Sequence, residues 1–130
     1  MITTTDVANI IIAKASEFGI LNVYQPGNIP LGEVQSERVV VIAGESQTDK
    51  YWNKGFVDVN IDVPDIYKEA NLVRLNEIQR LGQTIFDDFV GRFDETTYFY
   101  SIYSNYVEAD TALKCHFVNI KLLFEILNVK

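Results

Sequence analysis

His116 is the lone histidine of the chain, and imidazole is the side chain that most readily moves protons near neutral pH. A hydrolytic or ligand-binding site built on it would recruit acids such as Glu108 or Asp110 and would need a nucleophile within hydrogen-bond reach. No Ser, Cys or Asp spacing around His116 assembles into a triad. Its phase with Val118 and Ile120, near the start of a strand, predicts a structural or rim histidine. Asp58 and Asp62 share one strand face, but at ~3.3 Å per residue their carboxyl groups stand ~13 Å apart, too far to share a metal or act as a glycosidase pair. Asp87 and Asp88, adjacent on a predicted helix, point in different directions. The single cysteine, Cys115, excludes an intrachain disulfide and a cysteine-based zinc site. It reads as a buried or half-buried structural thiol on the face opposite Val118 and Ile120. No phosphate-binding, dinucleotide-binding, zinc-protease or EF-hand motif occurs. No catalytic, cofactor-binding or metal-ligating residue is therefore assigned, no cofactor is expected, and the chain is read as a non-enzyme.

The elements that position these residues follow from periodicity. The C-terminal run from Tyr98 to Leu127 reads as two long strands joined near Glu108–Ala112, and in the second Val118, Ile120, Leu122, Phe124 and Ile126 alternate with mostly polar neighbours. Near the N-terminus Thr4, Thr5 and Asp6 offer capping oxygens. Val7, Ile11, Ala15 and Phe18 follow at helical spacing until Gly19 supplies a stop. Two prolines and two glycines keep Tyr24–Ser36 irregular, a length that wraps the sheet or reaches a partner. Arg38–Ala43 is a strand apolar on both faces. Glu45–Gly55 reads as a polar loop carrying Tyr51, Trp52 and Lys54, and Phe56–Pro64 as a strand with Val57, Val59, Ile61 and Val63 inward and Asp58, Asn60 and Asp62 outward. Ala70 to Phe89 or Val90 reads as a second helix, with Gly82 on its apolar stripe marking a close approach to a strand; Gly91, Asp94 and Glu95 close it. The expectation is a single α+β domain over 1–130, ordered helix-strand-strand-helix-strand-strand, with a mainly antiparallel four-stranded sheet and both helices on one face.

Size and charge narrow the function classes. A chain of 130 residues that is 48% hydrophobic buries enough surface to fold alone. Its longest apolar run near the N-terminus, Ile10–Ala13, is far short of a membrane span, and no secretion signal is expected. A net charge of −7 opposes attraction to phosphate backbones and anionic lipid, so neither direct nucleic-acid binding nor a membrane partner is expected. The seven tyrosines and eight phenylalanines exceed what one core face absorbs: Phe86, Phe89, Phe117 and Phe124 suit the core or its margin, whereas the run Tyr98, Phe99, Tyr100, Tyr103, Tyr106 puts aromatics on both faces of a strand. Tyr51, Trp52, Lys54, Tyr100 and Tyr103 are the candidate protein-interface residues.

In element order and hydrophobic pattern the chain resembles the tail terminator, or tail-completion, proteins of long-tailed bacteriophages. The resemblance runs through Asn22-Val23-Tyr24-Gln25-Pro26-Gly27, the strand Arg38–Ile42, the alternating strand Phe56–Val63, the long helix, and the closing pair Tyr106–Asp110 and His116–Ile120. It implies a structural subunit, a homohexameric ring that caps the tail tube and joins it to the head connector, made in the bacterial host cytoplasm from a phage or prophage and carried in the virion tail or neck. The partners it implies are further copies of the chain, the tail tube protein and the head-completion protein, with Glu45–Gly55 and Tyr24–Ser36 as contact segments. The tyrosine-rich third strand departs from that pattern, which leaves a head-closure or neck protein as an alternative beside the His116 enzyme.

Overall fold

Thr3 starts the fold by closing the first helical turn. In a computed structural model, which describes residues 1–48 and 51–127, Thr3 caps α1 (Thr4–Ala15): its hydroxyl accepts from the Asp6 amide at 3.1 Å, and the Asp6 carboxylate accepts from the Thr3 amide at 2.9 Å. This capping box satisfies two otherwise orphaned donors. The cap is thus one residue ahead of the Thr4, Thr5 and Asp6 oxygens expected, and the bonds from Thr3 hold the Asp6 carboxyl below its ordinary range. Val7, Ile11 and Ala15 are buried, and Gly19, at φ +73°, stops the chain after a short 3-10 turn.

Seven strands follow: β1 (Val23–Tyr24), β2 (Arg38–Ala43), β3 (Gln47–Thr48), β4 (Trp52–Pro64), β5 (Phe89–Phe93), β6 (Thr96–Asp110) and β7 (Cys115–Leu127), with α2 (Leu72–Ile85) between β4 and β5. They form one sheet in the order β1-β2-β4-β7-β6-β5, and β3 pairs with β4. The chain is an α+β domain. Its sheet is not the mainly antiparallel four-stranded one expected: among the described residues it has seven strands and is mixed, since β1 runs parallel to β2. The added strands are short ones from stretches without a clear period of two.

Two of those additions correct specific expectations. The stretch Glu45–Gly55 is not a simple loop: β3 pairs Gln47 with Lys54 and Thr48 with Asn53, and β4 already begins at Trp52, which pairs with Leu127 of β7. Asp49 and Lys50, within that stretch, lie outside the described residues. The second helix begins and ends inside its expected bounds. Phe86 leaves helical geometry at φ −101°, ψ 26° and is fully buried. Phe89 pairs with Tyr100, its ring stacking at 5.4 Å. Aromatic packing in the sheet outweighs one more helical turn, so Asp87 and Asp88 sit after the helix. Gly91 lies within β5, and Asp94 and Glu95, at φ 47° and 63°, make the β5–β6 turn rather than a helix end.

The core occupies one face of the sheet. Val39 and Val41 of β2, Val57, Val59, Ile61 and Val63 of β4, and the alternating residues Val118–Ile126 of β7 meet Ile11, Ala15 and Phe18 from the first helix region and Leu75, Ile78 and Ile85 from α2. Gly82 is where α2 comes closest: a Cβ there would overlap the Ile120 Cδ1 methyl and stand 3.4 Å from the Phe18 ring. Both helices lie on this side. Among the described residues the opposite face carries no helix.

Candidate functional site

The open face is read from strand register. On β2, Arg38, Val40 and Ile42 stand opposite Asp62, Asn60 and Asp58 of β4. Continuing across the sheet, Asp58 meets Lys121, Asn60 meets Asn119 and Phe56 meets Leu123 on β7. On β6 the register shifts between Ile102 and Ser104, so Tyr103 is the extra residue of a β-bulge. The bulge turns Tyr103 to the open side, where its ring meets Phe56 edge-on at 4.9 Å across β7, and Lys121 Nζ stands 5.5 Å from the Phe56 centroid. Phe56, Tyr103 and Tyr106 are all exposed, Tyr103 to 66%. Leu123 and Phe99 are half-buried beside them.

Polar groups below this aromatic row are paired within the face rather than free. Asn119 is buried, and its amide donates to Asp58 Oδ1 at 3.2 Å and to Asn60 Oδ1 at 2.6 Å. Its own Oδ1 is buried without a hydrogen-bond partner among the described residues. Asp62 points outward as expected, yet it is buried, and Arg38 Nε donates to it at 2.7 Å. Burial raises the Asp62 carboxyl above its ordinary range, with the Arg38 hydrogen bond pulling the other way.

Of the five interface candidates, Tyr103 belongs to this face, and Trp52 and Lys54 share with Phe56 its side of β4. Lys54 is exposed and 3.5 Å from Glu125; Trp52 is half-buried at the head of β4, and Tyr51 just before it is exposed. Tyr100 does not belong. It is 2% exposed, sandwiched between Phe89 and Phe124, and burial pushes its hydroxyl up to about 12. The signal missed from sequence was Phe56, which sits one residue out of phase with the buried valines. Of the phenylalanines expected in or beside the core, Phe86 and Phe124 are buried in it, Phe89 stacks on Tyr100 at 41% exposure, and Phe117 is half-buried on the open side.

His116 is organised by a different acid from those expected. Its Nδ1 is 2.7 Å from Asp65 Oδ1, just past the end of β4, whereas Ala109 of β6 is its register partner and Glu108 and Asp110 lie on the other face. Asp65 is fixed further by its amide, which donates to the Lys114 carbonyl at 3.2 Å. The pair ties the end of β4 to the start of β7. Cys115 beside it is 1% exposed on the open side, and burial, reinforced by Asp62 and Asp110, pushes its thiol up to about 12. Among the described residues, no three His, Cys, Asp or Glu side chains gather in a metal-holding group, and no helix is long and apolar enough to cross a membrane.

The arrangement defines a class of protein by shape: an α+β domain whose sheet is packed by its helices on one side, while on the other Val40, Asn119 and Cys115 are buried and the Phe56–Tyr103–Tyr106 row is exposed. No protein-family model matches the chain, and no curated protein matches it. Solved structures do. One, a protein whose name states no activity, is similar over 94% of this chain and 96% of its own, with a TM-score of 0.59 and 13% sequence identity. At that identity the likeness speaks to the fold alone.

Proposed function

We propose that the chain is a structural subunit that works by self-assembly, most closely a tail terminator or tail-completion subunit of a long-tailed phage or prophage. The observation that carries this is the helix-free sheet face with its exposed Phe56–Tyr103–Tyr106 row. Exposed aromatics on a rigid sheet are typical interface anchors. On this reading copies of the chain close into a ring that caps the tail tube and meets the head connector, and the charge of −7 per subunit keeps passing DNA from sticking. The chain acts without a cofactor, in the virion tail or neck.

The test is native mass spectrometry and electron microscopy over a concentration series, alone and with tail tubes. Rings of uniform subunit number, or tubes capped at one end, support the proposal. Phe56→Ala with Tyr103→Ala should abolish them while the monomer keeps its circular dichroism spectrum. Monomers at every concentration that also leave tubes uncapped refute it.

The His116–Asp65 pair favours one second reading, a hydrolytic site, because a carboxylate that orients an imidazole is half of an acid–base device. His116→Ala abolishing a measured turnover with assembly intact would establish that reading in place of the first.

A further inference from the structure

The connection from β4 to α2 doubles back on itself within four residues. Ile66 and Glu69 exchange both backbone hydrogen bonds, at 2.9 Å each, and the two residues between them, Tyr67 and Lys68, stand at φ 50° and 66°. Two positive φ values in succession make a turn that Asn-Gly or Asp-Gly closes with least strain. Tyrosine and lysine each carry a Cβ that the left-handed region crowds, and tyrosine is the bulkier misfit. Packing within the fold does not offset this strain, because Tyr67 is 96% exposed. Ile66 before it, and Leu72 and Val73 in the first turn of α2, are exposed as well. The result is an apolar knob past the end of β4, with a strained tyrosine at its tip. Backbone strain of this kind is kept where the residue it displays has a use.

The knob also carries two charges that the fold leaves unanswered. Lys68 and Glu69 are exposed and have no ion-pair partner among the described residues. A matching pair stands on the open face. Glu108, two residues along β6 from Tyr106 and on the same side, is exposed and likewise unpaired, and Lys121 of β7 has the Phe56 ring near it but no acid partner among the described residues. Glu108 is opposite Phe117 and Lys121 is opposite Ser104, with Tyr106, opposite Asn119, at the level between them. Four residues along a strand and one strand across separate the two charges by ~14 Å of backbone. The long side chains of Lys68 and Glu69 span that distance when they splay apart around Tyr67.

We infer that the Tyr67 knob of one copy of this chain seats on the open face of the next, with Tyr67 against the Phe56–Tyr103–Tyr106 row, Lys68 on Glu108 and Glu69 on Lys121. The inference rests on the ring reading above and names the two patches that reading requires. Opposite charges meet in both pairs, which fixes the register of the contact more than its strength. Knob and face are different surfaces of one subunit, so each copy uses both at once, the heterologous contact from which a ring is built. Two knobs or two faces meeting would end at a dimer.

The experiment is a charge swap in the full chain, read as the concentration at the assembly midpoint in native mass spectrometry and as the capping of tail tubes. Lys68→Glu and Glu108→Lys each set like charges together, and each should raise that midpoint about tenfold or more, the equivalent of 1.4 kcal/mol. Combined, they should return it to within about threefold of the parent. A double variant as weak as its two changes added together overturns the contact and leaves the ring standing, as do single variants that assemble like the parent. Capping lost by Lys68→Glu with the free oligomers intact would put the knob on the tube protein and overturn the inference. A parent that neither assembles nor caps tubes overturns the ring reading and this contact with it. A second variant tests the strain: Tyr67→Asn with Lys68→Gly should raise the thermal midpoint of the monomer and still weaken assembly about tenfold. A more stable monomer that assembles as well as the parent would show that the turn has no part in the contact.

Discussion

Gly82 is where helix and sheet compete for one methyl group's worth of space, and that competition can be measured. Replacing it by Ala in a helix interior is worth about 1 kcal/mol in propensity. The new methyl would overlap Ile120 Cδ1, and Ile120 is fully buried with no free side to turn to. Overpacking of this kind costs about 1–3 kcal/mol, so Gly82→Ala should lose up to ~2 kcal/mol net. Ile120→Val removes the obstructing Cδ1 and alone should cost ~1 kcal/mol. Together the two changes let the Ala methyl fill the space Cδ1 vacates, since the next Ile120 atom would stand at 3.6 Å, an ordinary contact. The double variant should therefore lie within ~0.5 kcal/mol of the parent, a coupling of about 1–3 kcal/mol. Urea unfolding of all four proteins at a shared m-value measures it. If Gly82→Ala stabilises by its full propensity, or the two effects add, the close approach of α2 to β7 is refuted.

The buried pair Arg38–Asp62 should show the asymmetry of buried charges: Arg38→Met strands a carboxylate and costs about 3–5 kcal/mol by urea unfolding, whereas Arg38→Met with Asp62→Leu recovers most of that. Tyr100 and Cys115 both hold their protons to about 12 in the folded chain against ordinary values of 10.0 and 9.0. With folded values above unfolded ones, their contribution to stability is complete below pH 9 and is lost as pH rises through about 12. Thermal midpoints should fall across that window, and Tyr100→Phe should remove the tyrosine share of the fall; a flat profile contradicts the burial of both groups. His116→Ala should release Asp65, which an unfolding midpoint below the parent's would report, while leaving the oligomer distribution in native mass spectrometry as it was.

The strands that alternate strictly were legible from sequence because a period of two has one physical meaning when a single face is buried: Val57–Val63 and Val118–Ile126 take the places their spacing predicts. The apolar stripe of α2 was legible for the same reason, down to Gly82. Its end was not. Phe86 and Phe89 continue the helical spacing, and only the ring of Tyr100, distant in sequence, decides that Phe89 belongs to a strand. Likewise Trp52–Gly55 has no alternation of its own, because its pairing is dictated by Phe124–Leu127 across the sheet. On the open face Tyr103 was legible as a surplus aromatic, but its meeting with Phe56 was hidden, since the two meet only through a bulge, and a bulge leaves no mark in local periodicity.

The proportions of the fold bear on why that face stays open. At 1.5 Å per residue the 12 residues of α1 and the 14 of α2 extend ~18 and ~21 Å. The 13 to 15 residues of β4, β6 and β7 extend roughly 43–50 Å at ~3.3 Å each. The two helices cover the core face between them, and among the described residues no helix covers the other, where the Phe56–Tyr103–Tyr106 row stays exposed. Long antiparallel strands are costly to order, at about 1–2 kcal/mol per residue in backbone entropy, and a monomer recovers that cost poorly where only one side of the strand is packed. A sheet longer than its own helices is therefore better explained as a surface completed by other subunits than as the wall of a pocket, which would need only short strands and convergent polar groups. This is the physical reason for giving the aromatic row more weight than His116, whose one close partner is the acid that ties down the end of β4.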